Sequence, residues 1–447
     1  MDIGNLKNLL QDGGVVGAGG AGFPTYAKLA KGVKYLILNC AECEPLLSLH
    51  KQLLEKEAHE ILQSLSLIAE IIEAPEIVIG IKKGYDKAIS AIGQYIGAFP
   101  NIRLHLLDNV YPVGDEIILI YEALGIVISP GGIPIEKNII VLNVETVYNV
   151  YQCVQKQKPV IDKLVTIVGE VGGPRTTRAP IGMAIGDVAS SAGVKGNYTY
   201  LVGGPMMGEI KPGQAPITKT TNAILVLPDS HYLIRSKKRN LSIDLKRAAS
   251  ACCQCQMCTG LCPRHALGHP IEPHLFMRSA SNQDFRDRNV FLNTFFCSSC
   301  GVCEMYACPQ GLSPCSLIAA YKDGLKKAGA PMPKNIAHPG VKPWRAYRKV
   351  PEKRLEGRLG LSKYSGNAYF ADGVLDTNNV KILLRQHIGA IPIPIVSAGD
   401  YVKTGQMVAK PAEGLSVALH ASIDGEVTCV NDNFIEIKRS GKRGGVK

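Results

Sequence analysis

The chain has 447 residues, which is enough for two to four domains that each bury a core of their own. A hydrophobic content of 46% with 20% charged residues is typical of a globular α/β protein and excludes a disordered or fibrous chain, and no apolar run reaches the roughly 18 residues of a membrane span. The formal net charge is +12, and the first residues lack the basic and apolar regions of a secretory signal, so we expect a cytoplasmic protein.

Residues 1–157 alternate between helical and strand patterns. Lys34–Asn39 and Glu76–Gly80 are short apolar runs that predict buried strands. The apolar residues of His50–Ile72 recur with a helical period. This alternation predicts an α/β layer.

A glycine-rich string opens this region. Gly17–Gly22 has the GxGxxG spacing of a dinucleotide-binding loop, and an acidic residue, Glu42, follows about 20 residues later. A Rossmann loop follows a full strand, however, and here only two valines precede the glycines. Glycines let backbone N–H groups approach a phosphate closely, and Lys28 adds a positive charge. The alternative is that these glycines only form turns.

Residues 158–230 contain short β-rich pieces separated by glycines. The apolar runs Val165–Gly169, Tyr200–Gly204 and Ala223–Leu227 have the length of strands. They predict a small β domain separate from the first.

Eight of the fourteen cysteines fall into two runs between residues 240 and 325. Each run has three cysteines at x-x spacing and a fourth cysteine directly before a proline. In two-cluster ferredoxins the three close thiolates hold one [4Fe–4S] cube, and the cysteine before proline serves the other cube. A zinc site needs only four ligands and leaves the triplet-plus-proline arrangement unexplained.

We therefore predict two [4Fe–4S] clusters with a crossed set of ligands: Cys252, Cys255, Cys258 and Cys308 on one cube, and Cys297, Cys300, Cys303 and Cys262 on the other. The alternative keeps each run to its own cube. No role is predicted for the remaining cysteines: Cys40, Cys43, Cys153, Cys253, Cys315 and Cys429.

The last third of the chain has two parts. Residues 326–375 are rich in Pro, Gly and Lys and predict a linker or an irregular wrap. Residues 376–440 contain short strands broken by Gly and Asp turns, which fits a compact β sandwich of lipoyl-carrier type. Basic residues concentrate in Ile234–Asn240 and Lys342–Arg358 without a named nucleic-acid motif, so an acidic redox partner is a better expectation than nucleic acid.

The N-terminal strings resemble the flavoprotein subunit of complex I. Gly19–Thr25 with Lys28 resembles its flavin loop, and three further strings follow in the same order: Asn39-x-x-Glu42-x-Glu44-Pro45, Tyr111-x-x-Gly114-Asp115-Glu116 and Asn143-Val144-Glu145-Thr146. The resemblance implies FMN rather than a Rossmann nucleotide. It implies these cofactor-binding residues: Gly17, Gly19, Gly20, Gly22, Phe23, Lys28, Asn39, Glu42, Glu44, Tyr111, Gly114, Glu116, Asn143 and Thr146.

The acidic members of this set, Glu42, Glu44 and Glu116, are placed by the resemblance near the flavin ring or the nicotinamide ribose. Ala41 stands where the complex I pattern has Asp. The difference bears on how NADH is positioned and not on the binding of flavin. The reactive group would be FMN itself, so no side chain is predicted to be catalytic.

Further strings carry a second resemblance: Gly203–Gly208 in the middle domain, Cys258–Arg264 and Tyr306–Pro314 at the clusters, and Gln386–Ala390, Gly405-Gln406 and His420–Gly425 in the lipoyl-like part. The whole arrangement resembles the RnfC-like electron-transfer family, and its permuted order resembles the PduS-type cobalamin reductases associated with propanediol-utilising microcompartments. In RnfC the lipoyl-like domain stands first, whereas here it stands last. The implied fold is multidomain α/β plus β. Its parts are an α/β FMN/NADH domain (1–157), an SLBB-like β-grasp domain (158–230), a helical ferredoxin-like two-cluster domain (240–325), a linker (326–375) and a lipoyl-like barrel-sandwich domain (376–440).

The resemblance implies an NADH-dependent oxidoreductase that passes electrons through FMN and two [4Fe–4S] clusters to a corrinoid, reactivating B12 for a diol dehydratase. FMN is needed because NADH gives up two electrons together and the clusters carry one each. Two alternatives are an RnfC-like NADH:ferredoxin-type module that serves an acidic protein acceptor, and a non-catalytic relay subunit. A microcompartment shell protein and a cobalamin adenosyltransferase are the further partners that the resemblance suggests, inside a bacterial microcompartment.

Overall fold

A computed structural model describes residues 1–334, 336, 338–366 and 368–439. The first domain is built on a parallel four-stranded sheet with the order β3-β2-β1-β5. Its strands are β1 (Tyr35–Cys40), β2 (Glu76–Lys82), β3 (Ile102–Leu107), β4 (Val110–Tyr111), which lies outside the sheet, and β5 (Ile139–Asn143). Its helices are α1 (Ile3–Asp12), α2 (Thr25–Lys28), α3 (Leu49–Ile72), α4 (Asp86–Tyr95), α5 (Glu116–Leu124) and α6 (Val144–Gln155).

Both faces of this sheet are covered, which explains why its strands are nearly continuous apolar runs. Alternate residues such as Leu36 and Ile77 pack against α1, α3, α4 and α6 on one face. Ile37 and Val78 pack against α5 on the other face. The predicted strands and the long helix of this region are confirmed, with bounds that differ by one or two residues.

The second domain contains a mixed sheet that packs on one helix. It comprises β6 (Asp162–Gly169), β7 (Arg175–Pro180), α7 (Ile185–Ser191), β8 (Thr199–Val202), β9 (Glu209–Lys211) and β10 (Ala223–Leu227). Ile185, Val188 and Ala189 of α7 are buried against Val165 and Ile224 of the sheet. The region is thus a layer of sheet on one helix, and its assignment as an SLBB-like β-grasp domain stays a prediction.

The third domain is helical and surrounds the cysteine runs. It contains α8 (Tyr232–Lys237), α9 (Leu241–Ala251), α10 (Met257–Gly260), α11 (Pro263–Ala266), α12 (Pro273–Ser281), α13 (Arg288–Leu292) and α14 (Pro314–Lys327). Phe276, Phe291 and Tyr321 form its aromatic core, with ring centroids between 5.2 and 6.1 Å apart. A π-helix, Val302–Ala307, contains Cys303 and ends directly before Cys308.

The segment expected to be a linker, residues 326–375, carries regular structure of its own. β11 (Val350–Pro351) pairs with β4 of the first domain, α15 (Glu352–Arg358) follows, and β12 (Tyr369–Val374) pairs with β7. The six-stranded sheet of the second domain therefore has the order β12-β7-β6-β10-β8-β9. Residues 335, 337 and 367 of this segment lie outside the described residues.

The last domain packs two small sheets face to face. Its strands are β13 (Asn379–Leu383), β14 (Ile393–Pro394), β15 (Tyr401–Val402), β16 (Met407–Lys410), β17 (Leu419–His420), β18 (Gly425–Val430) and β19 (Phe434–Lys438). The sheets have the orders β13-β19-β18-β15 and β14-β16-β17 around an aliphatic core. The expected end of this domain, residue 440, lies outside the described residues. No helix in the described ranges is long and apolar enough to cross a membrane.

Candidate functional site

A cavity of about 390 Å³ opens at the carboxyl ends of β1 and β5. These strands are parallel neighbours, and Asn39 at the end of β1 is in register with Asn143 at the end of β5. Because β2 and β3 extend the sheet from the other side of β1, this crevice is the switch point where α/β proteins bind ligands. The predicted flavin-site residues that line it are Gly17, Gly19, Gly20, Phe23, Lys28, Asn39, Glu42, Glu44, Gly114, Glu116, Asn143 and Thr146.

The glycine loop is closed by its own backbone. Gly17 N donates to Phe23 O at 2.9 Å, and Gly20 and Gly22 have φ angles of +63° and +67°, which favour glycine. A Cβ on Gly20 would meet no atom of the described residues within 4 Å. The loop therefore presents open backbone to the cavity, as a phosphate cradle requires.

The first turn of α6 lies beside this loop. The Asn143 Oδ1 atom accepts from Thr146 N at 2.7 Å and from Thr146 Oγ1 at 2.6 Å, and Ala18 N in the glycine loop donates to Thr146 Oγ1 at 2.9 Å. The cap thus joins the loop to a twelve-residue helix whose N-terminus favours an anion.

Two glutamates, one buried and one half-buried, stand in the cavity wall. Glu42 is 6% exposed, and its Oε2 atom accepts from the backbone N–H of His50, while Oε1 has no hydrogen-bond partner in the described part of the chain. Burial raises the pKa of Glu42 to about 7. Glu44 accepts from the backbone N–H groups of Met206 and Met207 at 2.8 and 2.9 Å, and burial raises its pKa to about 7 as well.

Lys28, predicted to attract the phosphate, already has a partner. Its Nζ atom lies 3.0 Å from Glu116 Oε1 and donates to Val141 O at 3.2 Å. Its positive charge is therefore shared with Glu116 rather than reserved for a ligand.

Two predicted residues stand behind the cavity rather than in its lining. Gly22 packs against the second and last domains, since a Cβ there would lie 2.9 Å from Thr220 Cγ2 and 3.0 Å from Gln386 O. The Tyr111 hydroxyl donates to Cys300 O at 2.6 Å, which joins the first domain to the second cysteine run.

The sequence reasoning missed several lining residues, among them Cys43, His50 and Asn222. Burial lowers the pKa of His50 to about 4, and neither ring nitrogen has a partner among the described residues. Cys43 lies within the Asn39–Pro45 string and His50 follows it closely, so closeness to this string could have marked both as lining residues. Asn222 comes from another domain, and no local pattern marks it.

The chemistry of this lining fits FMN. A loop of open backbone N–H groups beside a helix N-terminus suits the phosphate. The unpartnered Oε1 of Glu42 is an acceptor for an N–H of a flavin ring.

The cysteines form two groups. The first group lines a small cavity and comprises Cys252, Cys253, Cys255, Cys258 and Cys308, so the cysteine before Pro309 joins the earlier run. In the second group, Cys262 lies near enough to Cys297, Cys300 and Cys303 for their charges to interact. The two runs are thus crossed in space.

Cys315 also belongs to the second group, although its position outside the x-x spacing did not indicate this. Its thiol lies close enough to those of Cys297 and Cys303 to shift their pKa values. No set of three His, Cys, Asp or Glu side chains in the described ranges surrounds a single ion. The ligands of an iron–sulfur cube are spread around a body larger than one ion, so they need not converge on one point.

The extra residue before Cys308 has a structural counterpart. Four residues separate Cys303 from Cys308, against three between Cys258 and Cys262. The π-helix Val302–Ala307 spans the longer spacing, and a π turn absorbs one additional residue in a helical path. Cys308 therefore reaches its position without an extended loop.

Family models match three parts of the chain. Residues 10–152 match the FMN-binding domain of Nuo51, residues 251–313 match a 4Fe-4S dicluster domain, and residues 371–442 match the RnfC barrel sandwich hybrid domain. The chain is thus a flavin and iron–sulfur electron-transfer protein of RnfC-like composition. FMN, and [4Fe–4S] clusters rather than zinc, are confirmed as its cofactors.

Relatives over the full length identify the family. The chain is 37% identical to the cobalamin reductase PduS of Citrobacter freundii over 98% of this chain and 97% of that protein, and 37% identical to that of Salmonella typhimurium over 97% and 96%. It therefore belongs to the PduS cobalamin reductase family. It is also 31% identical to one component of the ion-translocating oxidoreductase complex of Vibrio cholerae, over 60% of this chain and 34% of that protein.

Proposed function

We propose that this chain is an NADH-dependent cobalamin reductase. It takes electrons from NADH at the FMN site, passes them through two [4Fe–4S] clusters and reduces a corrinoid. FMN, when bound, accepts two electrons together and releases them one at a time. The membership of the chain in the PduS family supports the corrinoid as acceptor.

The observation that carries the proposal is the contact between the flavin cavity and the second cysteine group. Tyr111 donates to Cys300 O at 2.6 Å. Glu44 lines the flavin cavity and holds the backbone of Met206, and Met206 in turn contacts Gly301 beside Cys300. One layer of side chains thus separates the two redox sites.

The two cysteine groups differ in exposure, which suggests a direction of transfer. Cys303 of the second group is 7% exposed, and Cys300 of the same group accepts from Tyr111, whereas Cys253 and Cys255 of the first group are exposed. We assign the second cluster as the acceptor from FMN and the first cluster as the exit. An exposed cluster edge is where a bulky corrinoid or a redox protein can approach.

Within this proposal the ligands of the exit cluster are Cys252, Cys255, Cys258 and Cys308, and those of the inner cluster are Cys262, Cys297, Cys300 and Cys303. Gly20 and the capped helix α6 hold the phosphate end of FMN. Glu42 and Glu116 act nearer the flavin ring and the nicotinamide nucleotide.

An anaerobic titration of the holoprotein with NADH tests the proposal. Bleaching of the flavin absorbance should be followed by bleaching of the clusters, and added cob(III)alamin should then reoxidise them as cob(II)alamin forms. Flavin bleaching without cobalamin reduction, but with reduction of an added ferredoxin, would favour the RnfC-like module. A flavin that NADH does not bleach would favour the relay subunit.

The further partners rest on family membership alone. A microcompartment shell protein, a cobalamin adenosyltransferase and a microcompartment location belong to this proposal. Co-purification of the native chain with an assembled microcompartment would test all three.

A further inference from the structure

Asn222 belongs to the second domain but lines the flavin cavity of the first. It lies just before β10. A Cβ on Gly19 would lie 2.9 Å from Asn222 Nδ2 and 3.5 Å from Asn143 Nδ2. Two side-chain amides from different domains therefore flank the glycine loop.

The Asn222 side chain has an unmet hydrogen-bonding need. Its Oδ1 atom is buried without a partner in the described part of the chain. Buried amide groups are almost always paired in proteins, by protein, water or ligand. That atom is an acceptor and calls for a donor, such as a ribityl hydroxyl of FMN. The Nδ2–H group, which lies on the side of Gly19, is the end of the amide that can donate to a phosphate.

The loop that carries Asn222 is held in place by hydrogen bonds and packing. Asn222 O accepts from Thr166 N at 2.9 Å. The neighbouring Lys219 is 2% exposed, and its Nζ atom donates to Gly14 O at 2.6 Å and to Ala418 O at 3.0 Å. Thr220 packs against Gly22. Residues 219–222 thus contact both ends of the glycine-rich segment, at Gly14 and Gly22, and also the last domain at Ala418.

The charges of the cavity explain why a neutral amide is needed. Among the described lining residues the one lysine, Lys28, is paired with Glu116, and Glu42 and Glu44 add further acidic groups. A phosphate dianion entering this cavity depends on backbone N–H groups, the α6 terminus and side-chain amides.

We infer that Asn222 is a phosphate-binding residue for FMN, and that its Nδ2–H group donates to the flavin phosphate opposite Asn143. The second domain then completes the flavin site rather than serving only as a spacer. The inference rests on the flavin part of the proposed function and is independent of the electron acceptor.

The test compares Asn222→Asp with Asn222→Ala in cluster-loaded protein from which flavin has been removed. Asp has nearly the same shape as Asn but places a negative charge beside the phosphate. Affinity for FMN should fall about tenfold or more in the Asp variant and less in the Ala variant. Riboflavin, which lacks the phosphate, should bind both variants and the parent with similar affinity. Asn433→Asp, in an exposed turn of the last domain, is the matched control.

Iron content and circular dichroism of each variant report folding independently of flavin. Equal losses for FMN and riboflavin would mean that Asn222 supports the fold of the cavity, and the inference would be wrong. Unchanged FMN affinity in the Asp variant would also overturn it. A parent protein that binds neither flavin would overturn the flavin site itself, which separates that failure from a failure at Asn222.

Discussion

Gly20 and Gly125 have nearly the same backbone, with φ angles of +63° and +69°, and at both a Cβ would meet no atom within 4 Å in the part of the chain that the structure describes. They differ because Gly20 lines the flavin cavity, whereas Gly125 caps the end of α5. A left-handed alanine costs about 1–2 kcal/mol at either position. Only at Gly20 should the added methyl group also keep a phosphate from the backbone.

We therefore expect Gly20→Ala to weaken flavin retention about tenfold and Gly125→Ala to leave it unchanged. Flavin per chain, measured against iron per chain in the purified proteins, gives the result. A common loss in both variants would indicate backbone strain, and full flavin content in Gly20→Ala would contradict the phosphate cradle.

Glu42 should make the stability of the flavin-free protein depend on pH. Its pKa in the folded protein, about 7, is above the ordinary value of 4.5, so the folded state holds the proton more tightly than the unfolded state. The resulting stabilisation is complete below the pKa of the unfolded chain and is lost as the pH rises through 7. A shift of this size corresponds to about 3 kcal/mol at most.

The glutamine side chain in Glu42→Gln does not ionise, so this variant keeps the stabilisation as the pH rises. Relative to the parent it should be equally stable at about pH 4 and more stable, by up to about 3 kcal/mol, at about pH 8. Thermal unfolding followed by circular dichroism at both pH values measures the difference. The exposed Glu413→Gln serves as control. A stability difference that is the same at both pH values would rule out ionisation of Glu42 as the cause.

At the scale of residues the sequence predicted most of the cavity lining, because the glycine string and the Asn39–Pro45 string each place several lining residues close together in the chain. Their contacts with flavin stay a prediction. The sequence could not predict Asn222 or the engagement of Lys28 with Glu116. Both depend on residues far apart in the chain, since 88 positions separate Lys28 from Glu116. Local spacing carries no information on such pairs.

At the scale of elements, the crossing of the two cysteine runs leads to a spectroscopic prediction. Cys262 lies with the 297–303 group, and Cys308 lines the cavity of the 252–258 group. Cys262→Ala should therefore disturb the inner cluster, and Cys308→Ala the exit cluster. Electron paramagnetic resonance of the reduced variants decides, once Cys255→Ala and Cys300→Ala have identified each signal. If Cys262→Ala and Cys255→Ala lose the same signal, each run holds its own cube.

Cys315 provides a control within the same group. It contacts Cys297 and Cys303 but lies in the first turn of α14 instead of following the x-x spacing. Under the crossed assignment Cys315→Ala should retain both cluster signals and the full iron content. Loss of the inner signal in that variant would make Cys315 a ligand in place of Cys262.

The cysteine spacing was sufficient to predict two clusters, because thiolate spacing is set locally by the cube. The sequence pattern did not predict the strand β12, which lies in the segment expected to be a linker. β12 has exposed residues and pairs only at the sheet edge beside β7. Its strand structure is imposed by the partner strand, so its own pattern is weak.

At the scale of the whole molecule, three domains meet at the glycine loop. Lys219 of the second domain binds Gly14 O and Ala418 O, and burial lowers its pKa to about 7. Gly22 packs against Gln386 and Thr220. This convergence explains how a barrel-sandwich domain at the end of the chain can support a flavin site at its beginning. For the flavin site, the contacts that this domain makes matter more than its position in the sequence.

The joint between the flavin and cluster domains is a largely buried ion pair. Arg264 follows Cys262 and Pro263, and its Nη2 atom contacts both carboxylate oxygens of Asp115 at 2.9 and 2.7 Å. Asp115 also caps α5, directly before Glu116. The two side chains are 15% and 13% exposed, so removing the guanidinium leaves a carboxylate buried without its partner.

Arg264→Gln should therefore loosen this joint and slow electron transfer from flavin to the inner cluster, while NADH still reduces the flavin at the parental rate. Stopped-flow absorbance during anaerobic mixing with NADH separates the two phases. Arg286→Gln is the matched control, because Arg286 pairs with Asp284 in the same domain but is 91% exposed, and exposed pairs contribute little. Equal slowing of both phases would mean that Arg264 acts on the flavin site through Asp115 and α5, and not on the contact between the domains.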